Sequence, residues 1–389
     1  MLMMSLLPTG AIAASDGYIA AELQPLVENH ELAGAVALVA SKDKVLSLDA
    51  VGYADIAAKM PMKSDNLFWI ASMSKPIAAT ALMMLVEEGK IRLNEPARTY
   101  LPNFAPRIMA SDGAHVILEP PHQPITVRSL LSHTGGVAFR TSLETPTLDT
   151  FPLAVRVESY SLEPLLYEPG TAWEYSNAGF NTAARIVEVV SGMSYERFLQ
   201  ERLFEPLGMR DTTFWPTEAQ LKHLAKAYKL TENGKNLEET VINQLRYPLS
   251  DRSHRYSMPA GGLFSTATDL LKYCQMLLNN GTYGGHRYLT EASIREMTTN
   301  QVPQVVHMGE KPYPETEGYG LGWFTSPSGA FGHQGAFWTS MRIDPEKGLI
   351  EIWLVQHDGF PDGAKAFQAF QNAVDKHFAS MRTAGFATH

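Results

Sequence analysis

Apolar and polar positions alternate with clear periods at the two ends of the chain. Between Asp16 and His30, Ile19, Leu23, Leu26 and Val27 recur along one side, the spacing of an amphipathic helix. Gly34 to Ala40 is a short apolar run, Ser41-Lys42-Asp43-Lys44 is polar and turn-like, and Val45 to Val51 alternates again. The stretch predicts a helix followed by an antiparallel hairpin. Near the other end, Gly320 to Thr325, Ala336 to Ile343 and Leu349 to Val355 predict three strands, with Asp344-Pro345-Glu346-Lys347-Gly348 as the turn between the last two. A terminal helix follows, with Phe367, Phe370, Val374 and Phe378 on one face. Strands from both ends are expected to share one antiparallel sheet, flanked by the N- and C-terminal helices, with a large, mostly helical insertion packed against it. The predicted class is α+β, an α/β sandwich. Residues 16–65 plus 317–382 make the α/β domain and 66–316 the helical one, with the chemistry at their interface.

Composition narrows the picture. The chain has 389 residues, 45% hydrophobic and 19% charged, enough apolar material to bury large cores and too much for disorder. Its net charge of −9 argues against nucleic acid as a partner. A single cysteine, Cys274, cannot form an intrachain disulfide, and no HExxH string is present. No internal run is long and apolar enough to cross a bilayer. Met1 to Ala14 is apolar and its Ala11-Ile12-Ala13 resembles a signal-peptidase site, yet it lacks a basic leading region. Residues 1–15 are a clipped signal, which would send the protein to the periplasm or outside, or a plain N-terminal extension on a cytoplasmic protein.

Three short constellations carry chemistry. Ser72-Met73-Ser74-Lys75 opens a strong helix, with Pro76 in its first turn, Leu82, Met83, Leu85 and Val86 for packing, and Gly89 at its end. A serine and a lysine three apart share a helix face. A partly desolvated lysine there can lose its proton and accept one from the hydroxyl. Ser41-Lys42-Asp43-Lys44 has the same spacing, but it sits in a hairpin turn where such residues are ordinarily solvated. The second constellation is Tyr175-Ser176-Asn177, after Glu168-Pro169-Gly170 and Trp173: a tyrosine near an activated serine can shuttle protons, and the asparagine can orient carbonyls or the lysine. The third is His333-Gln334-Gly335. His133, His307 and His357 also head His-x-Gly strings, but only His333 precedes a predicted strand near the chain's end. Such an edge could pair with an acyl substrate and offer a backbone N–H. Each constellation taken singly also has an ordinary structural explanation.

Their joint order resembles the three-box pattern of the penicillin-recognising serine enzymes. The Tyr-Ser-Asn middle box is similar to the class C β-lactamase and D-alanyl-D-alanine carboxypeptidase branch. Leu130-Leu131-Ser132-His133-Thr134-Gly135-Gly136, Pro259-Ala260-Gly261-Gly262-Leu263-Phe264-Ser265-Thr266 and Tyr319-Gly320-Leu321-Gly322-Trp323 look like the same family. The resemblance covers nearly the whole chain and implies a β-lactamase/transpeptidase-like fold. It makes Ser72 the nucleophile, Lys75 its activator and Tyr175 the other proton-transfer residue, and leaves open which of the two takes the serine proton first. It puts the oxyanion hole at the backbone N–H groups of Ser72 and Ala336. Asn177 would hold a substrate carbonyl or Lys75, and His133 would help order the helical domain.

Departures from the pattern bear on substrate. The β-lactamases resembled here have Lys-Thr-Gly in the third box, where His333 and Gln334 stand in this chain; a histidine is neutral or only partly charged near pH 7. Family VIII carboxylesterases share the first two boxes and often lack that lysine. Phe337 and Trp338 are expected to wall an apolar acyl or alcohol pocket beside His333, Gln334 and Gly335. The leading expectation is a serine hydrolase forming an acyl-enzyme, a carboxylesterase of family VIII type on short-chain esters. The alternatives are a β-lactamase or D-alanyl-D-alanine peptidase of the same fold, and a non-catalytic ligand-binding or sensor module. The partner is a small ester or amide, no metal or organic cofactor is implied, and the oligomeric state is open.

Overall fold

The computed structural model describes residues 17–111, 115–232, 234, 236–302, 306–307, 318–359 and 363–378. The N-terminal segment 1–15 and the last residues of the expected α/β domain, 379–382, lie outside them. The apolar run becomes β1 (Gly34–Ala40) and the alternating one β2 (Val45–Asp55), followed by β3 (Met60–Pro61). From the far end come β4 (Gly318–Tyr319), β5 (Phe324–Thr325), β6 (Phe331–Gln334), β7 (Ser340–Asp344) and β8 (Leu349–Val355). All eight form one antiparallel sheet in the order β4-β5-β6-β7-β8-β1-β2-β3. The two chain ends meet at its centre, where Ala35 pairs with Val355 and Ala40 with Ile350.

Two predicted strands are interrupted. Of Gly320 to Thr325 only Phe324–Thr325 is strand, as β5; Gly320 to Trp323 form the turn after β4, in which Gly322 has φ +85°. Ala336 lies in a turn between β6 and β7 rather than in a strand, because Trp338 has φ +65°, incompatible with extended backbone. His333 therefore sits within β6.

Both faces of the central strands are covered, which is why β1 is apolar throughout. Ala35, Ala37 and Val39 face α1 (Tyr18–Glu28), while Val36, Leu38 and Ala40 belong to the larger cluster on the other face. That cluster takes in α2 (Ser74–Glu87), α3 (Leu153–Tyr160), α4 (Asn177–Ser191) and α5 (Ala267–Leu278). The helix α6 (Ala364–Phe378) closes the α1 side with Phe370, Val374 and Phe378, and the Trp353 and Phe370 rings stack at 5.2 Å. Glu351, buried in β8, is paired across the sheet with Arg342 at 2.8 Å. No helix among the described residues is long and apolar enough to cross a membrane.

Trp353 is fully buried between sheet and helices. Trp353→Ala is expected to destabilise the fold by about 3–5 kcal/mol, read as a lower urea midpoint. Phe367→Ala, at a half-buried position on the same helix face, is expected to cost distinctly less; equal costs would contradict the assigned layer.

Candidate active site

Ser72 stands in a single 3-10 turn, Ala71–Met73, that runs straight into α2. Ala71 has φ +45°, a conformation that side-chain-bearing residues rarely adopt. The turn is held by the Ser74 hydroxyl donating to Ala71 O (2.7 Å) and Met73 N–H to Ile70 O (3.1 Å). One helical turn on, Lys75 Nζ reaches to 3.0 Å from Ser72 Oγ. Its other contacts are Asn177 Oδ1 at 2.7 Å and Ala260 O at 2.8 Å. The Tyr175 ring lies 4.5 Å and the Phe180 ring 5.9 Å from the same nitrogen. Lys75 is fully buried, and burial holds its pKa well below that of free lysine. A neutral amine has two hydrogens and one lone pair. Two carbonyl oxygens can only accept, so they take the hydrogens, and the lone pair is left facing the serine hydroxyl.

The middle box is positioned by the start of α4. Ser176 caps that helix: its Oγ accepts from Gly179 N–H (3.0 Å) and donates to Ala138 O (2.9 Å). This sets Asn177 as the first helical residue, over Lys75. The Ser176 N–H donates to His133 Nδ1 at 3.0 Å, so the imidazole hydrogen sits on Nε2. The His133 ring lies 4.5 Å from that of Tyr175 and 4.7 Å from that of Tyr319. Burial, then the neighbouring Lys75, pushes the His133 pKa well below its usual value. His133 is a neutral buttress behind Tyr175 and Ser176.

Gly335 brings the third box against the serine turn. A Cβ there would fall 2.2 Å from Thr339 Oγ1, 2.6 Å from Ile70 O and 3.2 Å from the Ala71 Cβ, so only glycine allows this approach. The turn carrying Ala336 thus lies beside Ala71. Among the described residues, the backbone N–H groups of Ser72 and Ala336 donate to no protein acceptor. His333 is only 2% exposed. Its Nδ1 donates to Gln334 O (2.7 Å), Nε2 lies 3.4 Å from the Tyr319 hydroxyl, and burial pushes its pKa down to about 3. The third box therefore carries no cation at neutral pH, while Gln334 and Gly335 are half-buried.

Phe337 and Trp338 depart from expectation. Phe337 is 1% exposed and packs edge-on against Trp69 at 5.1 Å. Trp338 is 7% exposed, belongs to the α1–α6 cluster and donates its indole N–H to Gly359 O at 3.1 Å. Both rings are anchors in the interior, not walls of a pocket. The sequence reading missed Ala260. It lies in a stretch that carries the family resemblance, but its contribution is a carbonyl, which no side chain announces.

Comparisons with known proteins show the family and the fold. The family model described as Beta-lactamase matches residues 19–374. Protein Rv1367c of Mycobacterium tuberculosis is 31% identical over 385 residues, spanning 91% of this chain and 92% of that protein. Esterase EstB of Burkholderia gladioli is 32% identical over 206 residues, 50% of each chain. Among solved structures, EstCE1, a hydrolase with promiscuous acyltransferase activity, is similar in fold with a TM-score of 0.76 at 24% identity, over 92% of this chain and 97% of that one.

The depressed Lys75 pKa fixes a sign for pH dependence. The amine is a base above its folded pKa and loses that capacity below it. Labelling of Ser72 by a fluorophosphonate is expected to rise with pH along a single acid limb whose midpoint lies well below the pKa of free lysine. The limb is expected to stay in place in His333→Gln and the labelling to vanish in Lys75→Arg. A limb that moves with His333 would contradict the assignment to Lys75.

Proposed function

The chain belongs to the beta-lactamase family, which has esterases among its members, and on that membership we propose that it is a serine hydrolase acting through an acyl-enzyme, a carboxylesterase of family VIII type on short-chain esters. The observation that carries the reading is the 3.0 Å approach of a buried Lys75 amine, its pKa held well below that of free lysine by burial, to the Ser72 hydroxyl. In the proposed reaction Lys75 takes the hydroxyl proton as Oγ attacks the ester carbonyl. The oxygen that becomes negative is received by the N–H groups of Ser72 and Ala336. As the tetrahedral adduct collapses, the proton held on Lys75 passes to the leaving alcohol, with the Tyr175 phenol as relay. Water then repeats the sequence on the acyl-enzyme, Lys75 and Tyr175 again moving the proton, and Ser72 is restored.

The preference for esters rests on charge. A lysine in the third box would offer a permanent cation to a substrate carboxylate; the buried His333, with a pKa near 3, offers none. An uncharged ester does not need one. Phe337 and Trp338 are packed in the interior, so acyl-chain preference is not read from those two rings.

Ser72→Ala is expected to lower p-nitrophenyl butyrate hydrolysis by about a thousandfold or more with the fold intact. Hydrolysis that survives in Ser72→Ala overturns the proposal. Nitrocefin or D-alanyl dipeptide turnover far above ester turnover moves the reading to a β-lactamase or D-alanyl peptidase. A protein that no fluorophosphonate or penicillin probe labels is a non-catalytic binding module.

A further inference from the structure

Behind the Ser72–Lys75 pair lies a second buried polar group that the proposed reaction does not use. Glu144 ends a short 3-10 turn, Arg156 and Tyr160 lie one turn apart on α3, and Asn181 is on α4. All four are buried, and Glu144 and Arg156 have no exposed side-chain surface. Removing such a pair from water is costly unless its geometry serves a purpose. Arg156 approaches Glu144 Oε1 at 3.6 Å and donates to three carbonyls: Phe151 O (3.0 Å), Leu148 O (3.0 Å) and Ser257 O.

The hydrogen bonds in this group run one way. A carboxylate only accepts. The Tyr160 hydroxyl, 2.8 Å from Glu144 Oε1, donates to it, so its oxygen accepts from Asn181 Nδ2 at 2.9 Å. The same Nδ2 reaches Glu144 Oε1 at 3.3 Å. Burial pushes the Tyr160 pKa well above its ordinary value, with the Glu144 charge adding to it, so the phenol keeps its hydrogen. Both donors of the Asn181 amide are thereby committed, and its orientation is settled: Oδ1 faces away and accepts the Ala260 N–H at 3.2 Å. On the other side of the same Cα, the Ala260 carbonyl accepts from Lys75. Every hydrogen, from Lys75 through Ala260 and Asn181 to Tyr160, points toward Glu144.

We propose that Asn181 is a positioning residue for the Ser72–Lys75 pair, holding residue 260 so that its carbonyl takes one Lys75 hydrogen and leaves the lone pair for the serine, with Glu144 and Tyr160 fixing the sense of the amide. The inference rests on the hydrolase reading above. A reversed amide would set Nδ2 against the Ala260 N–H, donor facing donor, and push the 257–260 loop off Lys75.

Two variants test it. Asn181→Leu removes the acceptor: kcat on p-nitrophenyl butyrate is expected to fall about 10–100-fold, with fluorophosphonate labelling of Ser72 slowing in step. KM is expected to stay within about twofold, since no substrate contact is lost. Asn181→Asp separates positioning from packing. Its neutral acid form repeats the pattern, with C=O accepting from Ala260 N–H and O–H donating to Tyr160. Its ionised form sets a second anion beside Glu144, facing Tyr160, with Arg156 behind and Lys75 across the Ala260 peptide. Relative to wild type at the same pH, Asn181→Asp is expected to be nearly as active in acid and to lose activity as pH rises. Wild-type kcat in Asn181→Leu, or a loss in Asn181→Asp that is the same at every pH, overturns the positioning role alone. If Asn181→Leu does not fold, the pH profile of Asn181→Asp decides. A wild-type protein that neither turns over esters nor labels overturns the hydrolase reading and this inference with it.

Discussion

The site depends on keeping one amine uncharged inside the protein. Among the described residues Lys75 meets no carboxylate; it meets two carbonyl oxygens, a hydroxyl and the faces of two rings. Were a carboxylate there, the pair would charge, and the lone pair would be lost. Desolvation is what lowers the Lys75 pKa. Burial of α2 is thus a chemical requirement as much as a packing one. It also explains why both acceptors must be immobile. An amine whose hydrogens were free to choose would spend part of its time donating to Ser72 instead of accepting from it.

The remaining architecture supplies that immobility from separate directions. Asn177 is fixed by the Ser176 cap, itself held by His133. The Ala260 loop is tied on the sheet side as well, because the Trp69 indole donates to Gly261 O at 2.7 Å and Ile70 N–H to Leu263 O at 2.9 Å. Phe337 packs on that same Trp69, so the turn bearing Ala336 and the loop bearing Ala260 rest on one indole. Trp338 secures the other side of the turn in the α1–α6 layer. Two adjacent aromatic residues thereby clamp an exposed residue, Ala336, whose contribution to the proposed oxyanion site is a backbone N–H.

That clamp shows where sequence reading reaches and where it stops. β1, β8 and the faces of α1 and α6 were legible because burial on a regular element imposes a period. The Ser72–Lys75 proximity was legible for the same reason, since three residues make nearly one helical turn. The turn between β6 and β7 was not, because the positive φ belongs to Trp338, a residue type that gives no sign of it. The same two aromatics read as pocket walls, since bulk beside a motif looks the same from sequence whether it faces a cleft or a core. Ala260 was silent because backbone carbonyls have no residue signature. Asn181, like its neighbour Thr182, is a buried polar position of α4 whose burial could have raised the question.

Three basic groups, Lys75, His133 and His333, share this small volume; after burial, Lys75 lowers the pKa of both histidines and His333 lowers that of His133. They coexist because burial lowers the pKa of all three. An anion entering such a site would reverse the logic. A nearby negative charge favours the ammonium form of Lys75, so a carboxylate-bearing substrate would weaken the base proposed to activate Ser72. A third-box lysine would offset the incoming charge before it reached Lys75. A neutral histidine in that place offers no such offset, which supports the proposed uncharged acyl donor.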